Sequence, residues 1–398
     1  MKQILPLFIF TLSFFSASAQ RYLTPTFEGV KMTPDVLYGE AMSVDDTIVR
    51  LRMDIFEPEG DTEEARPLMV LVHGGSFVGG DRRDPLMMAL CQDFARKGYV
   101  TVTMSYRLGI NYANFLRLSD ELTQANLRAV QDHNAAVRFF YKSARDEGNP
   151  YRIDTTRIIS GGVSAGAIAT LHSHLFTDVS KAPANIAQFL ENLGGLEGGN
   201  NGSPGYPYKA VGLFNMMGAI LDTTLISVTD VPTISFHGDT DVVVPYAQGF
   251  ATFNGINVVQ VQGSSLVHQR LTSLGVATEL YTYPGIGHEL VVDSARMVVI
   301  IERATQFFYD QVINKNATVS TRQPQRLQQL EVYPNPVYGG VIYLSVEQDQ
   351  PFMLYDISGR QLQSGRLFQG QNELRLGGLQ QGMYLLRTPD AVARFLVR

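Results

Sequence analysis

Gly162-Val163-Ser164-Ala165-Gly166 constrains this chain more than any other stretch. The apolar run Arg157 to Gly161 precedes it and reads as a buried strand. Ala167 to Leu171 follows and reads as the start of a helix. A serine between glycines at such a strand-to-helix corner has the pattern of a nucleophile elbow. The corner is tight, so the residues two before and two after the serine must be small for the backbones to pass. Strain at the corner pushes the Ser164 hydroxyl out toward a base and a substrate. The same letters also spell an ordinary glycine turn, so the decision rests on what else the chain carries.

Strands and helices alternate from residue 68 to 311. That is the signature of an α/β protein with a mostly parallel sheet and helices on both faces. Val49 to Phe56 alternates apolar and charged residues, as a half-exposed antiparallel strand does, and residues 20–48 wrap the surface or add an edge strand. Pro67 to Val72 is continuously apolar, as expected of a strand buried on both faces. It ends in His73-Gly74-Gly75-Ser76-Phe77, where glycines let backbone N–H groups face a ligand. Preorganised donors of this kind make an oxyanion hole; a plain Gly-rich turn is the alternative. A helix is expected over Pro85 to Lys97 and a strand over Tyr99 to Tyr106. Arg107 to Glu121 is irregular, and its Tyr112 and Phe115 could overhang a site. A helix is expected over Leu127 to Tyr141. Asn192 to Pro207 exceeds normal connection length and is expected to form part of a lid or cap. Further strands are expected at Ala210 to Phe214, Pro232 to Phe236 and Glu279 to Pro284, with a last helix from Leu290 to Gln311.

His73, Ser164, Asp241 and His288 each fall just after an expected strand, and ligands of open parallel sheets bind at the carboxyl ends of strands. A serine needs a base within hydrogen-bond reach, and the base needs a carboxylate to fix its tautomer. Ser164, then Asp241, then His288 is the chain order of such a triad on this type of fold. Residues 37–311 resemble an α/β-hydrolase of the carboxylesterase and hormone-sensitive-lipase-like kind. The resemblance rests on His73-Gly74-Gly75-Ser76-Phe77, Gly162 to Gly166, His237-Gly238-Asp239-Thr240-Asp241 with Val244-Pro245, and Gly287-His288. It implies Ser164 as nucleophile, His288 as base and then acid, and Asp241 as orienting carboxylate. It implies an oxyanion hole from the N–H groups of Gly75, Ser76 and Ala165. Ser76 departs from the family, which usually has a third glycine there, so the two N–H groups that point inward stay open.

Asp239 competes with Asp241 for the acid, and Asp222 is a further candidate; spacing from Val244-Pro245 favours Asp241. His73 and His237 read as loop supports. His172 and His174 point apart on a helix, which disfavours a metal site, and His268 falls on a peripheral helix. No metal or nucleotide motif is present, and no cofactor is expected. A net charge of −6 over 398 residues gives no electrostatic case for nucleic acid.

Lys2, the apolar stretch Ile4 to Phe15 and Ser16-Ala17-Ser18-Ala19 read as a secretory signal peptide, residues 1–19, cut after Ala19. No later stretch nears the ~20 apolar residues of a spanning helix. Cys91, the only cysteine, precludes an internal disulfide and reads as a packed thiol. The catalytic domain is thus expected over 20–312, a linker over 313–330 and a small all-β sandwich over 331–398. By pattern the sandwich suits a carbohydrate-binding or interaction module. It also resembles the C-terminal sorting domain of type IX secretion substrates. The matching residues are Tyr333-Pro334-Asn335-Pro336, Tyr355-Asp356 with Ser358-Gly359-Arg360, Leu379 to Tyr384 and Val397-Arg398. That resemblance implies outer-membrane secretion machinery as a partner, removal of the tail, and a secreted or cell-surface product. The expected function is a serine carboxylic-ester hydrolase acting on a small-molecule or glycan ester. A serine peptidase on the same fold and a non-catalytic surface or binding protein are the alternatives.

Overall fold

The computed structural model describes residues 21–176, 178–198, 202–226, 231–290, 293–314, 328–356, 361–388 and 391–398. The expected signal peptide and most of the expected linker lie outside them. The described residues divide into two units, one ending at 314 and one starting at 328.

In the first unit, Val30–Met42 (β1) and Ile48–Pro58 (β2) pair antiparallel at one edge of an eight-stranded sheet. Then come Arg66–Val72 (β3), Val100–Met104 (β4), Ile153–Val163 (β5), Gly212–Met216 (β6), Ala219–Ile220 (β7), Thr233–Gly238 (β8), Gln248–Phe253 (β9), Ile256–Gly263 (β10) and Thr278–Tyr283 (β11). The sheet order is β1-β2-β4-β3-β5-β6-β8-β11, and all pairs from β4 to β11 are parallel. The helices are Pro85–Arg96 (α1), Leu118–Asp146 (α2), Ala165–Leu175 (α3), Ala184–Asn192 (α4), Ser264–Ser273 (α5) and Ser294–Phe308 (α6).

The side chains of β3 show why this strand has no polar alternation. Leu68, Val70 and Val72 pack with Ala125, Ala129 and Phe140 of α2 and with Ala165 and Ala169 of α3. Met69 and Leu71 point the other way, onto Cys91 and Phe94 of α1 and Ile300 and Phe308 of α6. Both faces are covered, so the run Leu68 to Val72 is apolar throughout, and Arg66 at the strand's start is buried only because it is paired with Glu57. Each such burial stabilises by about 1.5–3 kcal/mol. Burial pushes the Cys91 thiol up to about 12, so it stays a neutral packed group.

Three elements differ from expectation. Helix α2 begins at Leu118 rather than Leu127 and ends at Asp146 rather than Tyr141. Leu118, Leu122 and Ala125 share one buried stripe, and Asp120 and Glu121 favour the positive helix start. Helix α4 is additional to the expected elements; it buries Ile186 and Leu190, four residues apart. The hairpin β9–β10 is additional too. It turns at Asn254-Gly255, with φ values of 49° and 77°, the left-handed pair that a two-residue hairpin turn requires.

The second unit holds Gln328–Gln329 (β12), Val332–Tyr333 (β13), Val341–Val346 (β14), Gln350–Asp356 (β15), Gln361–Leu367 (β16), Gly370–Arg375 (β17), Gly382–Arg387 (β18) and Ala391–Val397 (β19). They form a five-stranded sheet, β12-β19-β18-β15-β16, and a three-stranded sheet, β13-β14-β17. Ile342 and Leu344 of one sheet and Leu354, Leu386 and Phe395 of the other share one core. Within Tyr333-Pro334-Asn335-Pro336, Asn335 ties the motif to the last strand. Its Oδ1 accepts Leu396 N–H at 3.0 Å and its Nδ2 donates to Arg394 O at 3.1 Å. Ser358-Gly359-Arg360 lies outside the described residues.

Candidate active site

Ser164 sits between β5 and α3 with φ 55° and ψ −121°, a conformation a side-chain-bearing residue rarely adopts. Its N–H donates to Met216 O at 2.8 Å, which clamps the corner to the neighbouring strand. The flanking glycines are needed for space. A Cβ on Gly166 would lie 2.1 Å from Val72 O, and one on Gly162 would lie 2.7 Å from it. With both positions bare the corner closes, and Ser164 is left facing a cavity.

The loop after β3 approaches this corner from the side. A Cβ on Gly74 would lie 3.3 Å from Ser164 Cβ. Gly75, Ser76 and Phe77 have φ values of 114°, 53° and 63°. Gly75 O accepts Val78 N–H at 3.1 Å and Gly79 N–H at 3.0 Å, closing the loop on itself. Gly75 has no room for a side chain, since a Cβ would lie 2.1 Å from Gly79 O. Ser76 tolerates its positive φ and borders the cavity together with Ser164 and Ala165. Ala165 opens α3, so its N–H belongs to the first turn, which has no intrahelical acceptor. His73 lies beneath the loop, stacked on Tyr106 at 4.5 Å, with Nδ1 2.6 Å from Gly74 O.

His288 follows β11. Its Nε2 is 2.8 Å from Ser164 Oγ and its Nδ1 is 2.6 Å from Asp241 Oδ2. A carboxylate can only accept, so Nδ1 carries the ring proton and Nε2 offers its lone pair to the serine hydroxyl. Asp241 is fully buried at its side chain, and its Oδ1 accepts Val243 N–H at 2.8 Å and Val244 N–H at 2.9 Å. Burial alone would raise its pKa. Contacts from His237, His288 and Val244 N–H outweigh burial and hold the carboxyl well below the usual range.

The other sequence candidates lie elsewhere. Asp239 is exposed and accepts Gly285 N–H at 2.7 Å, stitching the β8 and β11 loops together. Asp222 caps a short turn through Thr224 N–H. His172 donates from Nδ1 to Ile168 O and accepts Leu221 N–H at Nε2. His174 packs edge-on against His133, and burial holds it well below its ordinary pKa. His268 lies on α5, 3.1 Å from Thr278 Oγ1. Among the described residues no group of three or more His, Cys, Asp or Glu could hold a metal. Sequence reasoning makes His237 a loop support only. Its Nε2 also lies 3.2 Å from Asp241 Oδ2, and the i, i+4 separation of the two residues is the available signal.

Ser164 opens into a cavity whose empty space, open mouth included, is about 860 Å³. Phe77, Leu122, Ile168, Phe176 and Val259 give it apolar walls, and among the described residues that line it none is Asp, Glu, Lys or Arg. The hairpin β9–β10 supplies one wall and α2 another. This corrects the expectation for Asn192 to Pro207. The described part of that segment does not line the cavity. It is fastened to α2, where Gln131 Nε2 donates to Leu193 O and Gly195 O, and Arg138 holds Glu197 O and Gly202 O. Tyr112 is exposed and borders no part of the cavity, and the Phe115 side chain lies outside what is described.

Residues 53–193 match the family described as BD-FAE, and residues 331–394 match the secretion system C-terminal sorting domain. Juvenile hormone esterase of Heliothis virescens is 28% identical over 172 residues, covering 41% of this chain and 28% of its own length. Esterase B1 of Culex pipiens is 30% identical over 133 residues, covering 33% of this chain and 23% of its own length. The chain thus spans about a quarter of the length of these relatives. The butyrate-bound structure of esterase Est2 from Thermogutta terrifontis superposes with a TM-score of 0.50 at 19% identity. It covers 73% of this chain and 97% of that one. The first unit therefore has the α/β-hydrolase fold and contains the BD-FAE match, and the second unit contains the sorting-domain match. No helix among the described residues is long and apolar enough to cross a membrane.

Proposed function

We propose that this protein is an exported serine carboxylic-ester hydrolase working through Ser164, His288 and Asp241. The observation that carries the reading is the continuous contact from Asp241 Oδ2 to His288 Nδ1 and from His288 Nε2 to Ser164 Oγ, at the mouth of an uncharged apolar cavity.

Each step follows from these groups. His288 takes the Ser164 proton as Oγ adds to the ester carbonyl. The negative charge that develops on the carbonyl oxygen meets N–H groups among Gly75, Ser76 and Ala165. Fixed donors of this kind contribute about 10²–10³ in rate each. His288 then returns its proton to the departing alkoxide, and the acyl group stays on Ser164. Water, deprotonated by His288, attacks the acyl-enzyme and releases the acid. Asp241 keeps the imidazole in the tautomer each proton transfer needs. The apolar walls suit an ester whose cavity-bound portion is uncharged and hydrophobic, and no step calls on a metal or cofactor.

Export fits the sorting domain and the leader-like residues 1–19. In this reading type IX machinery carries the chain across the outer membrane and removes the tail, leaving a released or surface-held enzyme. The test is a panel of alkyl, aryl, acetylated-glycan and feruloylated-glycan esters, run on the wild type and Ser164→Ala. Hydrolysis by the wild type with loss of at least about 10³-fold in the variant is expected. Equal inactivity of both on every ester overturns the reading.

A further inference from the structure

The geometry points to His237 as a positioning residue that holds the Asp241 carboxylate at the same oxygen His288 contacts. This rests on the triad proposed above. His237 is fully buried at the end of β8, and its side chain is neither at the cavity nor in contact with Ser164.

Its protonation follows from what surrounds it. Nε2 lies 3.0 Å from Val244 O and 3.2 Å from Asp241 Oδ2. Both neighbours can only accept, so Nε2 must carry the ring proton, shared between carbonyl and carboxylate. In the neutral ring Nδ1 is then an acceptor, and the single Ser264 hydroxyl proton is shared between it, at 2.7 Å, and Gly218 O, at 3.2 Å. Ser264 Oγ in turn receives Asn215 Nδ2–H at 3.0 Å, while Asn215 Oδ1 accepts Gly218 N–H at 3.0 Å. One chain of buried hydrogen bonds therefore runs from β6 through Asn215 and Ser264 to His237, whose Nε2 stands 3.2 Å from Asp241 Oδ2. It starts beside Met216, whose carbonyl clamps Ser164 N–H. The nucleophile and the acid are thereby referenced to the same strand end.

The chemical consequence concerns one oxygen. Asp241 Oδ2 faces both imidazoles, and Oδ1 is taken by two backbone N–H groups. A donor from His237 withdraws charge from the oxygen that His288 uses, which makes the carboxylate a weaker stabiliser of a protonated His288. It also stops the carboxylate rotating away. The titratable groups facing the His237 ring are Asp241 and Tyr246, the latter edge-on at 5.7 Å; His288 reaches it only through Asp241.

The test uses the full-length chain with His237→Leu, which removes the donor, and His237→Gln, whose amide N–H can replace Nε2–H. In the leucine variant kcat should fall by about tenfold with KM little changed, a typical loss for a supporting partner of a reactive group. The acidic limb of its kcat/KM profile should move up by about half a pH unit, because Oδ2 regains full charge toward His288. Glutamine should restore most of both. Low-field proton NMR of the resting protein gives a readout that needs no substrate. The wild type should show resonances lost separately in His288 and His237 variants, and His237→Leu should shift the His288 signal. A folded leucine variant with unchanged rate, limb and His288 signal overturns the inference. So does equal damage by both variants with an unmoved limb and signal. Absence of ester hydrolysis in the wild type would count against the proposed function, and the NMR shift would still decide the role of His237.

Discussion

Gly166 passes so close to Val72 that a methyl group on it would sit 2.1 Å from the Val72 carbonyl oxygen. That oxygen belongs to the central strand, whose side chains are buried on both faces, so it cannot retreat. Gly166→Ala should therefore destabilise the whole first unit rather than only slow catalysis. A melting experiment should show a loss on the order of 1–3 kcal/mol or more, the usual cost of overpacking a rigid site. A variant that melts with the wild type would show that the elbow has slack.

The two aspartates of the β8 loop should separate cleanly. The Asp241 carboxylate meets His288, whereas the Asp239 carboxylate accepts Gly285 N–H. Asp241→Asn should lower kcat by about 10⁴ through the wrong imidazole tautomer. Asp239→Asn should cost only a few-fold, through a looser loop. Measuring kcat for both on one activated ester checks the assignment.

Acid stability should carry the mark of Asp241. Its folded-state pKa lies below its unfolded value, because the His237, His288 and Val244 N–H contacts outweigh burial. Such a group binds more protons when unfolded, so its contribution is present in full above about pH 4 and drains away as pH falls further. Below about pH 4, the wild-type melting temperature should fall more steeply than that of Asp241→Asn. Parallel slopes would remove Asp241 from the account.

Cavity size should set chain-length preference. Val259 and Ile168 line the cavity from the hairpin and from α3. Val259→Phe should lower kcat/KM for a p-nitrophenyl octanoate about tenfold or more relative to the acetate, within the range that steric fit gives. An unchanged ratio would mean the acyl chain lies elsewhere.

The tail offers an independent test. Phe395 is fully buried in the core of the second unit. Phe395→Ala should destabilise that unit by about 3–5 kcal/mol. The fraction of protein reaching the medium or surface of a secreting host should drop accordingly, as read by immunoblot of cell fractions.

Much of the fold and the site is legible in the amino-acid sequence. Leu68, Val70 and Val72 on one face and Met69 and Leu71 on the other are an unbroken apolar run only in a doubly covered strand. Ser164, Asp241 and His288 each stand at a strand end, which local patterning can locate. Helix α2 reads short because its first turns mix buried Leu118 and Leu122 with the polar residues Ser119, Asp120, Glu121, Thr123 and Gln124. The hairpin carries its own signal in Asn254-Gly255, but β9 has few fully buried positions and so little alternation. The contact between His237 and Asp241 is least legible. Its geometry depends on Ser264 and Asn215, which no local pattern links to either residue.

The hairpin that walls the cavity leaves and rejoins the chain at nearly one point. Gly263 N–H donates to Ala247 O at 2.8 Å, two residue pairs tie β10 to β7, and Thr252 of β9 donates to the loop that carries Asp241, from N–H to Val243 O at 2.8 Å and from Oγ1 to Val242 O at 3.1 Å. It is an appendage with a closed base, hung between the loop that carries Asp241 and the helix that carries Ser264. A change at its Asn254-Gly255 tip would leave those ties, and with them the support of Asp241, in place. On the proposed function, substrate range should then be separable from chemistry: an exchanged hairpin tip should bring a new ester preference to an unaltered triad.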